Sequence, residues 1–296
     1  MPIISSPLRY PGGKSALTDF LTKTISSNRL TGGTYVEPFC GGAGAAINLL
    51  LSGHVSRIIL NDIDPVIYAF WQSVLHSTDR FIDLIDKTPV TIDEWHNQKS
   101  IIENSENNLL NLGFAAFFLN RCNRSGILRA NPIGGLNQTG KWKIDARFNK
   151  IGLIKRIKAI ADRKEQIQIK NKDVLSFLQE DVFSLQEAVF VYLDPPYYKQ
   201  GPGLYLNALS PDGHKTLAAI LEKEKFHVWL TTYDNVAEIK EMYPHSYITN
   251  FSLNYSAHLH KKGEELLITP PHTKLPAEAI QPHYGLQIFS SCLAAQ

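Results

Sequence analysis

The chain is poor in cysteine, with only Cys40, Cys122 and Cys292 in 296 residues. They are too few and too widely spaced for a disulfide framework or a zinc cluster, which argues for a reducing cytoplasm. Long apolar runs are missing as well. A membrane span needs about 20 such residues, and runs like Phe114-Ala-Ala-Phe-Phe-Leu119 are far shorter. The opening Met-Pro-Ile-Ile-Ser-Ser-Pro lacks the basic start and apolar centre of a secretory signal. There is no internal repeat. At 44% hydrophobic the chain can still bury a large core, and one big domain with an insertion is expected. These absences lead to a cytoplasmic enzyme with no membrane contact and no bound metal.

Net charge is also nearly absent, at +2, but the balance hides a division. From Arg121 to Lys172 there are 14 Lys/Arg against three acids, Asp145, Asp162 and Glu165. The rest of the chain is acidic. A basic segment on an acidic body is the footprint of a polyanion partner. Lys155-Arg-Ile-Lys158 and Arg163-Lys164 also suit a solvated helix face. Residues 121–147, rich in Gly and Asn as well as Arg, suit that bland reading poorly.

Strand and helix signals alternate. Strands are expected at Thr34–Phe39, Arg57–Leu60, Gln166–Lys170, Ala188–Leu193, Phe226–Thr232, Ser246–Ser252 and Glu264–Thr269. Helical runs are expected at Ala45–Leu51, from Val66 to Arg121, at 151–163 and near 211–225. This order predicts an α/β fold with a mostly parallel sheet. Little strand signal lies between Pro65 and Gln166, so residues 66–165 read as an inserted, mainly helical domain. Residues 127–144 within it are glycine-punctuated and read as turns or a hairpin. Residues 1–65 and 166–270 then form the main domain, and 271–296 an irregular tail.

Two turns carry chemistry. After the first strand, Gly41-Gly-Ala-Gly44 opens a helix, and such a turn lets backbone approach a ligand closely. Asp62 closes the next strand, where an acid can accept bonds from ribose hydroxyls. The spacing is not the full dinucleotide fingerprint, which favours a smaller adenosine ligand over NAD. Glu37 offers an acid for a cationic amine, and Phe39 an apolar wall. A tight strand–helix turn without a ligand is the plain alternative. The second turn is Asp194-Pro195-Pro196-Tyr197, at the mouth of a buried strand. Neither proline has an N–H, so the turn continues no ladder. The Pro195 carbonyl and the Asp194 carboxylate are two acceptors, and Tyr197 adds a flat ring. Such a set suits a planar base with an exocyclic amine. It also suits a rigid loop, with the Asp capping a helix and the Tyr in the core.

Taken in order along residues 6–270, the segments resemble the Dam-like group of DNA adenine-N6 methyltransferases. Leu8-Arg-Tyr-Pro-Gly-Gly-Lys14 resembles the N-terminal cofactor motif and Val36–Gly44 the glycine loop. Asn61-Asp-Ile-Asp64 resembles the ribose-binding acid, and Asn120-Arg-Cys-Asn-Arg-Ser-Gly126 the start of the DNA-contacting hairpin. Asp194–Tyr197 resembles the catalytic motif and Gly263–Ile268 the late strand. The resemblance implies an S-adenosylmethionine-dependent, Rossmann-like sheet of about seven strands with a DNA-binding insertion. It places Tyr10, Lys14, Asp62 and Asp194 at the cofactor, beside Glu37, Phe39, Gly41 and Gly44. It implies duplex DNA contacts from Arg121, Arg124, Arg129, Asn131, Lys141, Lys143 and Arg147. Of these, Arg129 aligns with a guanine-reading arginine, while Lys141, Lys143 and Arg147 suit phosphates. Dam has a tyrosine where Arg124 stands and a proline where Thr139 stands, so GATC is not implied as the target.

The chemistry expected is methylation of the N6 amine of an extruded adenine. Asp194 and the Pro195 carbonyl hold its two protons, Tyr197 stacks on the base, and no covalent enzyme intermediate forms. An RNA adenine or protein glutamine methyltransferase is an alternative, although the latter usually carries Asn before Pro-Pro-Tyr. A third is a cofactor-sensing DNA-binding protein without turnover. A monomer is expected, and a cognate restriction endonuclease is a candidate partner.

Overall fold

The computed structural model describes residues 6–9, 14–104, 108–199, 209–253, 263–276 and 286–289. Eight strands form one sheet: β1 (Thr34–Glu37), β2 (Arg57–Asn61), β3 (Ile167–Lys170), β4 (Phe190–Leu193), β5 (Val228–Asp234), β6 (Tyr247–Leu253), β7 (Gly263–Thr269) and β8 (Leu286–Phe289). Their order is β3-β2-β1-β4-β5-β7-β6-β8. The first five run parallel, and the last three join antiparallel. β1 and β4 are adjacent although distant in sequence. The winding reverses between them, which opens a crevice at their carboxyl ends.

β1, β4 and β5 are buried at every residue, as expected for strands covered on both faces. The irregular-tail expectation needs one correction. Leu286–Phe289 forms β8, which pairs with β6 and makes the sheet eight-stranded rather than about seven-stranded.

Outside the β2–β3 connection the α-helices are α1 (Thr18–Ser27) and α2 (Gly44–Leu51), then later α8 (Val174–Ser176), α9 (Pro211–Lys223) and α10 (Ala237–Met242). α8 runs on into a π-helical turn, Phe177–Val182. Between β2 and β3 come α3 (Pro65–His76), α4 (Thr78–Lys87), α5 (Ile92–Glu103), α6 (Leu109–Cys122) and α7 (Lys150–Ala161). α3 starts where it does because Asp64 accepts the Val66 N–H at 2.9 Å and Pro65 takes the first helical position. Asn108 caps α6 in the same manner. α6 is buried almost all round, which makes it the centre of the helical region.

One hydrophobic cluster runs from Tyr35 and Ile58 of the sheet into Phe70, Phe81, Phe117 and Phe148 of the helical region. The aromatic rings there meet edge to face and in stacks at 5.5–6.2 Å. A second cluster, including Val191, Leu217 and Trp229, fills the other side of the sheet. Among the described residues no helix is long and apolar enough to cross a membrane.

Candidate active site

The turn after β1 is gripped from several sides. The Cys40 N–H donates to the Asn61 carbonyl at 2.9 Å, and the Gly41 N–H to Asp62 Oδ2 at 2.9 Å. The Trp71 indole donates to the Gly41 carbonyl at 2.9 Å, and the Ser6 hydroxyl to the Gly42 carbonyl at 2.5 Å. Ala43 holds a left-handed backbone at φ 45°. For a residue with a Cβ this costs about 1 kcal/mol, and strain of this sort gathers at working turns. Gly44 then begins α2, and Phe39 packs half-buried against the second cluster.

Two acids face this turn. Asp62 also accepts the Asp64 N–H, on Oδ1 at 3.0 Å. Burial pushes its carboxyl up to about 6, against the pull of the Asp64 and Gly41 N–H groups. Glu37 is buried, and among the described residues its Oε2 has no hydrogen-bond partner. Burial, then the charge of Asp194, pushes its carboxyl well above the usual carboxylate range. A buried, unpartnered carboxylate oxygen is costly. A cationic ligand would relieve it, and the ammonium and sulfonium of S-adenosylmethionine fit that need. Tyr10 lies outside the described residues.

The second turn follows β4. Asp194 keeps 24% of its side-chain surface open. Its Oδ1 accepts the Thr232 hydroxyl at 2.8 Å and lies 3.4 Å from Lys14 Nζ. Burial raises the Asp194 carboxyl, and the Lys14 ammonium opposes that shift. Lys14 is itself buried. It donates to the Tyr197 hydroxyl at 2.9 Å and pairs with Glu265 of β7 at 3.3 Å. The ammonium lies 5.3 Å from the Tyr197 ring centre but 2.9 Å from its oxygen. It therefore sits off the hydroxyl end of the ring rather than over its face. Asp234, at the end of β5, accepts the Tyr198 and Lys199 N–H groups at 2.9 and 3.0 Å. The turn is thus pinned from the neighbouring strand. Among the described residues the Pro195 carbonyl accepts no bond.

The structure brings Lys14, Glu37, Asp62, Asp194, Pro195 and Tyr197 to the same end of the sheet. Sequence reasoning missed Thr232, Asp234 and Glu265 as their partners. Among the described residues no group of three or more His, Cys, Asp and Glu is arranged to hold a metal ion.

The basic segment packs beside this end as turns. Within 127–144 the described backbone forms no strand, and one isolated bridge joins Asn123 to Pro132. Side chains take the place of a ladder. Asn123 donates to the Ile127 and Leu128 carbonyls. Gln138 donates to the Ile133 and Gly135 carbonyls and accepts the Ile144 N–H. Asn120 joins the segment to the N-terminal stretch at Arg9. It accepts the Arg9 N–H at 2.7 Å and donates to the Arg9 and Gly126 carbonyls at 2.7 and 2.9 Å. Gly126 has φ +77°, and a Cβ there would meet the Arg9 carbonyl at 2.4 Å, so only glycine fits.

Arg124, Arg129, Asn131, Lys141, Lys143 and Arg147 are exposed. Arg129 carries its charge close enough to hold down the Asp64 carboxyl, which burial pushes up. Arg121 turns inward to the Arg147 carbonyl, and burial lowers its guanidinium to about 10. Lys170 and Lys172 are tied to Asp181, and Lys172 also to Glu180. The basic surface is therefore narrower than the charge count of residues 121–172.

A family model described as "D12 class N6 adenine-specific DNA methyltransferase" matches residues 10–257. No curated protein sequence matches the chain. Among solved structures, the rRNA methyltransferase aviRa from Streptomyces viridochromogenes is similar at 14% identity, over 87% of this chain and 84% of that one, with a TM-score of 0.34. A second structure of it gives 15% identity, 84% and 82% coverage, and 0.32.

Proposed function

The chain belongs to the D12 class N6 adenine-specific DNA methyltransferase family, and from that premise we propose how its residues divide the work. The reaction moves a methyl group from S-adenosylmethionine to the N6 amine of adenine in DNA. When bound, S-adenosylmethionine supplies an electrophilic methyl on a sulfonium. The residues of this chain do the rest by binding, orienting and accepting hydrogen bonds.

Asp62 takes the ribose hydroxyls and Glu37 a cationic end of the cofactor. Phe39 walls the site, and the turn from Gly41 to Gly44 lets the backbone approach. The extruded adenine enters beside β4. Its amine is a poor nucleophile because the nitrogen lone pair is shared with the ring. The Asp194 carboxylate and the Pro195 carbonyl accept its two N–H bonds, favouring a pyramidal nitrogen with its lone pair toward the methyl. Tyr197 stacks on the base, steadied at its hydroxyl by Lys14. The observation that carries this assignment is the Asp194 turn, whose proline carbonyl accepts no bond among the described residues and whose carboxylate is fixed from β5.

Duplex DNA lies along the exposed cations. Arg129 reads a base edge, and Arg124, Asn131, Lys141, Lys143 and Arg147 position the backbone. Arg121, turned inward, holds the strip in shape. The proposed setting is a monomer in the cytoplasm, paired with a restriction endonuclease of the same target sequence. Labelled methyl transfer tests the whole reading. The expected product is N6-methyladenine in duplex DNA. Label appearing only in RNA or protein, or in cytosine, overturns it.

A further inference from the structure

The fold treats the two oxygens of Asp194 differently. Oδ1 accepts the Thr232 hydroxyl at 2.8 Å and lies 3.4 Å from Lys14 Nζ. Among the described residues nothing donates to Oδ2. An ionised carboxylate only accepts, so the single hydroxyl proton of Thr232 goes to Oδ1. Tyr192 OH lies 3.0 Å from Thr232 Oγ1. With the threonine proton already used, the phenol is the donor in that contact. The result is a one-way chain, Tyr192 to Thr232 to Asp194.

The chain follows from strand geometry. Tyr192 and Asp194 are two residues apart at the end of β4 and share a face. Thr232 comes from β5, the parallel neighbour, one residue beyond the Leu193–Thr231 pair. Tyr192 and Thr232 are fully buried, so no water competes for these bonds and they keep most of their strength.

We propose that Thr232, oriented by Tyr192, is a positioning residue for methyl transfer, fixing Oδ1 so that Oδ2 alone is presented to the adenine amine. The inference rests on the adenine methyltransferase reading above. A proton on Asp194 would sit on Oδ2, the oxygen without a donor, and turn the needed acceptor into a donor. Transfer therefore requires the ionised carboxylate. The charged and titratable groups around it are Lys14, Glu265 of β7, Glu37 and Tyr35 of β1, Tyr192 of β4 and Tyr233 of β5. Burial and Glu265 favour the protonated form, while Lys14 and the Thr232 hydroxyl favour the ionised one.

The test is steady-state methylation of duplex DNA against pH, with Thr232→Val, Thr232→Ser and Tyr192→Phe. Thr232→Val keeps the shape and removes the donor. It should lower kcat by about 10- to 100-fold, the worth of a hydrogen bond to a charged group. KM for S-adenosylmethionine and for DNA should stay within about twofold, since neither ground-state complex needs one oxygen over the other. The acidic limb of kcat should move up by about one pH unit. Thr232→Ser restores the hydroxyl and should recover both kcat and the limb. Tyr192→Phe should move both in the Val direction by less. An unmoved acidic limb in Thr232→Val overturns the proposal. So does a loss confined to KM, or one that Thr232→Ser fails to repair, because packing would then be the cause. Wild-type protein that methylates no adenine overturns the underlying reading, and this inference with it.

Discussion

Binding of S-adenosylmethionine should depend on pH through Asp62. Ribose hydroxyls are donors when they meet a carboxylate, so only ionised Asp62 serves both. Burial pushes its pKa up to about 6. The sign follows directly. Below that value the cofactor-free protein carries the proton, and binding must expel it. The apparent Kd therefore rises as pH falls. One unit below the pKa only about a tenth of the molecules are ionised, so Kd should be about tenfold weaker at pH 5 than at its alkaline plateau. The same shift makes the proton favour the folded, cofactor-free protein. That contribution is present below the ordinary carboxylate pKa and is lost as pH rises through about 6.

Titration calorimetry in two buffers of different ionisation heat counts the protons. The share due to Asp62, read as the difference between wild type and Asp62→Asn, should be about half a proton released per cofactor at pH 6 and almost none at pH 8. Asp62→Asn should remove the step near pH 6, leaving any linkage through Glu37, and weaken binding by about 1.5–3 kcal/mol, the worth of bonds to a charged acceptor. DNA affinity without cofactor should stay nearly constant, which separates a lost ribose contact from a disordered turn. Wild-type binding that is flat from pH 5 to 8, with no proton release, would refute the assignment. A step near pH 6 that persists in Asp62→Asn would move the titrating role to Glu37.

Asp194→Ala should keep the fold and lower methyl transfer at least about 100-fold, since one of two preorganised acceptors is gone; near-normal turnover by the folded variant would remove its assigned role. Glu37→Gln should weaken cofactor binding by about tenfold or more, because an ionic contact becomes a neutral one. Unchanged calorimetric affinity would count against Glu37 as the partner of a cationic group. Arg129→Ala should relax discrimination at one base pair by about 1–3 kcal/mol, whereas Lys141→Ala should weaken all sequences alike and reduce the salt slope by about one unit. Methylation profiles on a randomised duplex library read both, and equal sequence preference in wild type and Arg129→Ala leaves only anchoring.

The parts of the fold legible in the sequence were those with local causes. The apolar run before Asp194 and the glycine turn after Glu37 each announce themselves within a few residues. Partnerships across strands do not. Thr232, Asp234 and Glu265 reach the Asp194 turn and Lys14 because β5 lies beside β4 and β7 beside β5, an order that no local pattern encodes. Ser6 and Trp71 hold the glycine turn from opposite directions in the chain for the same reason. β8 was missed because four residues, Leu-Gln-Ile-Phe, give too little alternation to stand out in a tail with prolines. The basic count overstated the unpaired positive charge because Asp181 and Glu180, which tie up Lys170 and Lys172, follow the segment rather than lie within it.

The uninterrupted core beneath sheet and helices bears on how such an enzyme can change its target. A helical region whose Phe70, Phe81, Phe117 and Phe148 lie in one cluster with Tyr35 and Ile58 of the sheet is not a cassette. It cannot be swapped whole, nor melt apart from the catalytic body, because either would open the aromatic stack that supports both. On the proposed division of roles, new specificities would arise at the exposed side chains of Arg124, Arg129, Asn131, Lys141, Lys143 and Arg147, and not at Ile144 of the same segment, which belongs to the core. What the molecule gives up in modularity it gains in a fixed spacing between the exposed Arg129 and the Asp194 turn, the two ends of the proposed chemistry.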